Sequence, residues 1–218
     1  MARTLAWLAL PLLTACFGGF NSKEPPPQTY VLRLPPAQAQ TAAADPGQAA
    51  VTGGTDGRGS LEVLLPSAGV GLSNDRIAVM RPGARLDYYS AARWAEAAPA
   101  LLRALVVETL RRNGRFGLVE PDTGPFDAQY LLSLELTHFE AEYGDSGPPT
   151  VHVELVCQLG QRSGRHVLEG FTASGTATAS EDRMQAVVDA FEQATRAALT
   201  QIGTRLAPPA SAAANLVH

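Results

Sequence analysis

Cys16 carries the clearest chemistry in this chain. It closes the run Leu13-Thr14-Ala15-Cys16. Its thiol, once ionised, is the nucleophile that can accept a diacylglyceryl group, and the compact Ala15 before it suits the pocket of the peptidase that would cut there. This is the pattern of a bacterial lipobox. The residues upstream fit it: Arg3 gives a positive start, and the apolar stretch Leu5 to Leu13 is too short to cross a bilayer as a helix. Residues 1–15 therefore read as a signal peptide. Cys16 then becomes the first mature residue, bearing a covalent diacylglycerol and an N-acyl chain such as palmitate, with no other cofactor expected. Several acyl chains, each contributing about 0.8 kcal/mol per buried CH₂, make such an anchor effectively permanent. The residue after the cysteine is Phe17 and not aspartate; under the usual bacterial sorting rule that releases a lipoprotein to the outer membrane.

Other reactive side chains are sparse. Gly144-Asp145-Ser146-Gly147-Pro148 resembles the surroundings of a chymotrypsin-like serine. It lacks the second glycine after the serine, however, and these are also turn-forming residues, so a turn is expected. His138, His152, His166 and His218 form no HExxH pattern and read as strand or tail residues facing water. Glu135, Glu140, Glu142 and Glu154 read as the polar side of a one-sided sheet. Lys23 is the only lysine. It falls in the tether, which removes P-loop, Schiff-base and Ser-Lys chemistry. Cys157 is the one thiol left after acylation of Cys16, so no intrachain disulfide forms; it reads as a small buried hydrophobe. No catalytic residue and no metal site is expected. A net charge of −4 argues against a nucleic-acid partner.

The elements that position these residues follow from periodicity. Residues 16–28 read as a lipidated tether, and residues 29–206 as a single domain. Within it, residues 35–60, poor in large apolar side chains, form a mobile loop; residues 207–218 form a disordered tail. Strands are expected at Tyr30–Leu34, Leu61–Leu65, Ile77–Arg81, Arg85–Tyr89 and Phe116–Glu120. Alternating patterns at Tyr130–Thr137, Val151–Leu159 and His166–Thr178 predict an antiparallel meander. Trp94 to Arg112 shows helical spacing, with Pro99 disturbing its first turn and Asn113-Gly114 ending it. A second helix carries Met184, Val187, Phe191, Leu199, Ile202 and Leu206 on one stripe, with Ser180 as its N-cap and Glu181 and Asp182 in its first turn. The fold class is α+β: a mostly antiparallel sheet with two amphipathic helices packed on one face.

Asp75-Arg76-Ile77-Ala78-Val79-Met80-Arg81, followed by Tyr88-Tyr89 and by Arg93-Trp94-Ala95-Glu96, resembles the ABC-type transport auxiliary lipoprotein family. That family includes the PqiC lipoproteins that accompany MCE-type lipid transport systems. The early Tyr30-Val31-Leu32-Arg33-Leu34 strand, the lipobox and the long last helix extend the likeness over roughly residues 28–206; the length of the 35–60 segment departs from it. The resemblance implies a non-catalytic lipoprotein on the periplasmic face of the outer membrane. Its partner would be a periplasmic MCE-type or related lipid-carrying component, energised by an ABC ATPase at the inner membrane. Arg76, Tyr88, Tyr89, Arg93 and Trp94 are the candidate partner or protomer contacts, since aromatics and arginine dominate interface energetics. The charged fraction of 17% is below the usual quarter or so and points to a homo-oligomer. An envelope-assembly or pilot lipoprotein, and a lipid-anchored hydrolase, are the competing readings.

Overall fold

A computed structural model describes residues 26–33, 58–69, 71–164 and 166–206. The signal peptide, Cys16, Lys23, most of the 35–60 segment and the 207–218 tail lie outside the described residues. In chain order the elements are β1 (Gln28–Tyr30), β2 (Ser60–Val63), β3 (Ser67–Ala68), β4 (Arg76–Arg81), β5 (Arg85–Trp94), α1 (Ala98–Asn113), β6 (Leu118–Pro121), β7 (Tyr130–Glu142), β8 (Thr150–Gln161), β9 (His166–Thr178) and α2 (Met184–Arg205). They form an α+β fold with one mixed, mostly antiparallel sheet of nine strands and two helices.

β7 is the spine of the sheet. Along one edge it pairs antiparallel with β8 over its whole length, and β9 pairs antiparallel with β8 beyond, as the alternating patterns predict. Three short parallel strands share its other edge in succession: β2 beside Tyr130–Leu132, β3 beside Glu135–Leu136 and β4 beside Glu140–Glu142. β6 extends β2, and β5 extends β4 as a hairpin. A register shift between Leu136 and His138 leaves Thr137 as an extra residue on β7. Such a bulge inverts the facing of everything after it. Leu132, Leu134 and Leu136 are buried before it, and Phe139 and Ala141 after it.

Several sequence expectations are corrected. β1 covers Gln28–Tyr30 and not Tyr30–Leu34, because it pairs only with Ala92–Trp94. Beyond Tyr30 the chain leaves the sheet for the core and α2: Leu32 is buried, and the Arg33 amide donates to Glu192 Oε1 at 3.0 Å. Trp94 is the last residue of β5 and does not open a helix; its amide donates to the Asp75 carbonyl at 2.7 Å. α1 starts at Ala98, with Pro99 in the first turn, where the missing N–H costs nothing. It ends on Gly114 at φ 61°, a left-handed cap that glycine adopts without penalty. Residues 58–60, assigned to the mobile loop, lead into and begin β2. Ser180 is not the N-cap of α2: that position is Arg183, extended and without a side-chain cap bond. The acids before the helix are otherwise engaged, Glu181 by Arg183 and Asp182 by the Tyr143 hydroxyl at 2.6 Å.

Both helices lie on one face. α2 packs on β8 and β9, and α1 on β2, β6 and α2. The approach of α2 is close: a Cβ on Gly175 would sit 2.0 Å from the Ala194 carbonyl oxygen. At the centre Trp94, Phe139 and Phe191 stack with centroids 5.0 to 5.6 Å apart. Neither described helix is long and apolar enough to cross a membrane.

Candidate functional site

The β4–β5 hairpin carries the sequence motif and separates its residues. Arg76 is exposed and stacks its guanidinium 3.7 Å from the centroid of the Tyr88 ring, a cation–π contact. The Tyr88 hydroxyl donates to the Gly71 carbonyl at 3.1 Å. Tyr89 turns toward the start of α2. Its hydroxyl lies 3.0 Å from that of Tyr143, which in turn donates to Asp182, while Arg81 sits 4.7 Å from the centroid of the Tyr143 ring. Burial and the Tyr143 bond push the Tyr89 phenol well above its ordinary range. Arg93 is exposed and pairs with Asp75 at 3.7 Å.

Trp94 is fully buried and its Nε1 has no hydrogen-bond partner. It offers no surface to a partner and is core; of the five candidates, only Arg76, Tyr88, Tyr89 and Arg93 reach solvent. Arg81, which closes the Asp75–Arg81 motif, completes the cluster with Tyr143 and Asp182, which no contact motif marks: Tyr143 stands beside a turn signal, and Asp182 has the position of a helix-start acid.

Two of the histidines and three of the glutamates share a cleft of about 510 Å³ on the open face, lined by Arg81, His138, Glu140, Glu142, His152 and Glu154; His166 and Glu135 do not line it. Glu140 is only 6% exposed. One carboxylate oxygen lies 2.6 Å from His138 Nδ1 and the other accepts the Phe139 amide at 2.6 Å. That hydrogen bond raises the His138 pKa above 6.5, against the opposing effect of burial. His152 pairs with Glu142 at 3.3 Å. Ser146 is exposed in the β7–β8 connection. Burial pushes the Cys157 thiol up to about 12, and its Sγ donates to the Leu155 carbonyl at 3.6 Å, which makes it a packing residue. Among the described residues no group of three or more His, Cys, Asp or Glu could hold a metal ion. Beside β1 an apolar pocket of about 310 Å³ is formed by Pro26, Gln28, Tyr30, Tyr89, Ala91 and Met184, among others.

A nine-stranded sheet with two helices on one face, and a hairpin whose tyrosines and arginines clamp neighbouring loops, define an α+β domain that offers surface for contact. The family is given by the sequence: residues 30–203 match the ABC-type transport auxiliary lipoprotein component family, and the chain belongs to it. It is thus an auxiliary lipoprotein component of ABC-type transport, and membership of a lipoprotein family implies anchoring to a membrane by lipid. No curated protein matches. Among solved structures, protein XCC0632 from Xanthomonas campestris is 28% identical with TM-score 0.62, over 66% of this chain and 81% of that one. An uncharacterized protein is 14% identical with TM-score 0.61, over 83% and 98%. A PelC dodecamer from Paraburkholderia phytofirmans is 18% identical with TM-score 0.37, over 65% and 87%.

Proposed function

We propose that this chain is a non-catalytic outer-membrane lipoprotein of an MCE-type lipid transport system, docking a periplasmic lipid-carrying partner from the periplasmic face. The family match over residues 30–203 carries the reading. The lipobox at Leu13–Cys16 and the Phe17 that follows supply the anchor and its destination. Acylation of Cys16 fixes the domain at the membrane, the tether gives it reach, and Arg76, Tyr88, Tyr89 and Arg93 supply contact surface. We propose further that the domain self-associates as a closed homo-oligomer, because a symmetric partner is best met by a symmetric surface.

Co-purification in mild detergent tests the partner. Recovery with the periplasmic MCE-type component supports the reading; recovery with a secretin or an envelope-assembly complex would replace it with the structural alternative. Light scattering on the lipidated protein in detergent gives an oligomer mass at every concentration if self-association holds, and a monomer mass if it does not.

A further inference from the structure

The path of the N-terminal segment decides which end of the domain hangs toward the anchor. β1 runs parallel to β5, with Gln28 beside Ala92. Just before it, Pro26 lines the same pocket as Tyr89, Ser90 and Met184, the first residue of α2. Traced backward, the chain leaves toward the β4–β5 turn and the start of α2. About a dozen residues separate Gln28 from Cys16, roughly 40 Å when fully extended. The tethered end therefore holds the β4–β5 turn, the β7–β8 connection and the start of α2. The far end holds the start of β7 beside the end of β8, the starts of β6 and β9, and the C-termini of both helices, which meet where Asn113 Nδ2 donates to the Gly203 carbonyl at 3.0 Å.

The two ends differ in charge. At the tethered end Arg85 balances Asp87, and Glu142, Asp145, Glu181 and Asp182 outnumber Arg81 and Arg183. At the far end Arg58, Arg111, Arg112, Arg115, Arg162 and Arg205 are all exposed, against Glu62, Glu108, Asp127 and Glu169. The helix termini account for part of the gathering, since C-terminal carbonyls favour cations: Arg58 donates to the Gly114 carbonyl at 2.7 Å and Arg115 to the Thr204 carbonyl at 2.8 Å. Arg111 donates instead to the Val119 carbonyl of β6 at 2.8 Å, and Arg205 lies 5.3 Å from the centroid of the Phe171 ring. Arg112 pairs with Glu108 and Arg162 with Glu62. The same end exposes Leu118 (40%), Val167 (67%) and Leu168 (41%). Arginine beside exposed apolar side chains is the composition of a protein interface.

We propose that this far end is the docking surface, and that its occupant is a protein surface rich in carboxylates with an apolar centre, approaching from the side away from the anchoring membrane. The proposal rests on the docking reading above. A second copy does not fit: two far ends repel, and a far end on a tethered end would lift one copy away from the membrane that anchors both.

The test uses the full lipidated chain in phosphatidylcholine vesicles and the purified periplasmic MCE-type component as probe. A triple variant at the far end, Arg112→Glu/Val167→Asp/Arg205→Glu, is compared with a double variant at the tethered end, Arg85→Glu/Arg183→Glu. The far-end variant weakens binding more than about tenfold and the tethered-end variant less than about twofold. Binding by the unaltered chain weakens by a similar factor between about 50 and 300 mM salt, a measurement that needs no variant to fold. Binding that survives both the far-end reversal and the added salt overturns this assignment and leaves the docking reading standing. Failure of the unaltered chain to bind at all removes the docking reading, and this assignment with it. A far-end reversal that changes only the chain's own oligomer mass, or capture of phosphatidylglycerol vesicles in place of the protein, also overturns it, by giving the surface to a second copy or to lipid.

Discussion

On the covered face of the sheet Trp94, Phe139 and Phe191 meet ring against ring, all three buried. One residue further along β7, the open face carries Glu140 between His138 and a backbone amide. Both surfaces belong to the same strands. A period of two sends neighbours to opposite sides, and the bulge at Thr137 resets which neighbours go where. The covered face therefore carries the stability, through burial and ring packing. The open face is charged, and its pairs, His138 with Glu140 and His152 with Glu142, add a smaller share.

The sharpest way to break that comparison is Phe191→Ala. Phe191 is fully buried against Trp94 and Phe139, and its truncation should cost about 3–5 kcal/mol in urea unfolding. A cost below about 1 kcal/mol would mean that α2 does not seal this face. Gly175→Ala should come next. The new methyl would meet the Ala194 carbonyl oxygen, which is backbone and cannot swing aside, so α2 must shift at a cost of about 1–3 kcal/mol. An unchanged unfolding midpoint would show that the helix rides higher than the close approach requires.

The open face should give the smallest effect. His138 has a raised pKa, with Glu140 as the main cause. Its contribution is therefore complete below the ordinary value of 6.5 and is lost as pH rises through the raised value. The stability gap between the unaltered chain and His138→Gln should be widest below pH 6.5 and shrink as pH rises above it, read from urea midpoints. A gap that widens with pH would contradict the assigned partner.

The strands β7 to β9 and the stripe of α2 were legible because alternation and helical spacing are local signals. The stacking of β2, β3 and β4 along one edge of β7 was not, because parallel pairings between distant segments leave no local period. Trp94 was placed in a helix because its spacing to Ala98 and Leu101 is helical; the bonds of its own amide and of the Ala95 amide, to Asp75 and Tyr30, hold it at the sheet instead. In the hairpin, Arg76, Tyr88, Tyr89 and Arg93 stood out in sequence. Their partners Gly71, Tyr143 and Asp182 come from loops whose approach only the fold determines. The charge difference between the two ends was hidden for the same reason: Arg58, Arg115, Arg162 and Arg205 are far apart in the chain and come to the same end only through the fold.

Everything proposed for this domain depends on its being held at the outer membrane through Cys16. The direct measurement is fractionation of inner membrane, outer membrane and soluble periplasm for the unaltered chain and for Cys16→Ala. The unaltered chain should sediment with the outer membrane and carry acyl mass on its first residue, and Cys16→Ala should appear in neither membrane fraction. Recovery of the unaltered chain with the inner membrane, or normal outer-membrane retention of Cys16→Ala, would contradict the account.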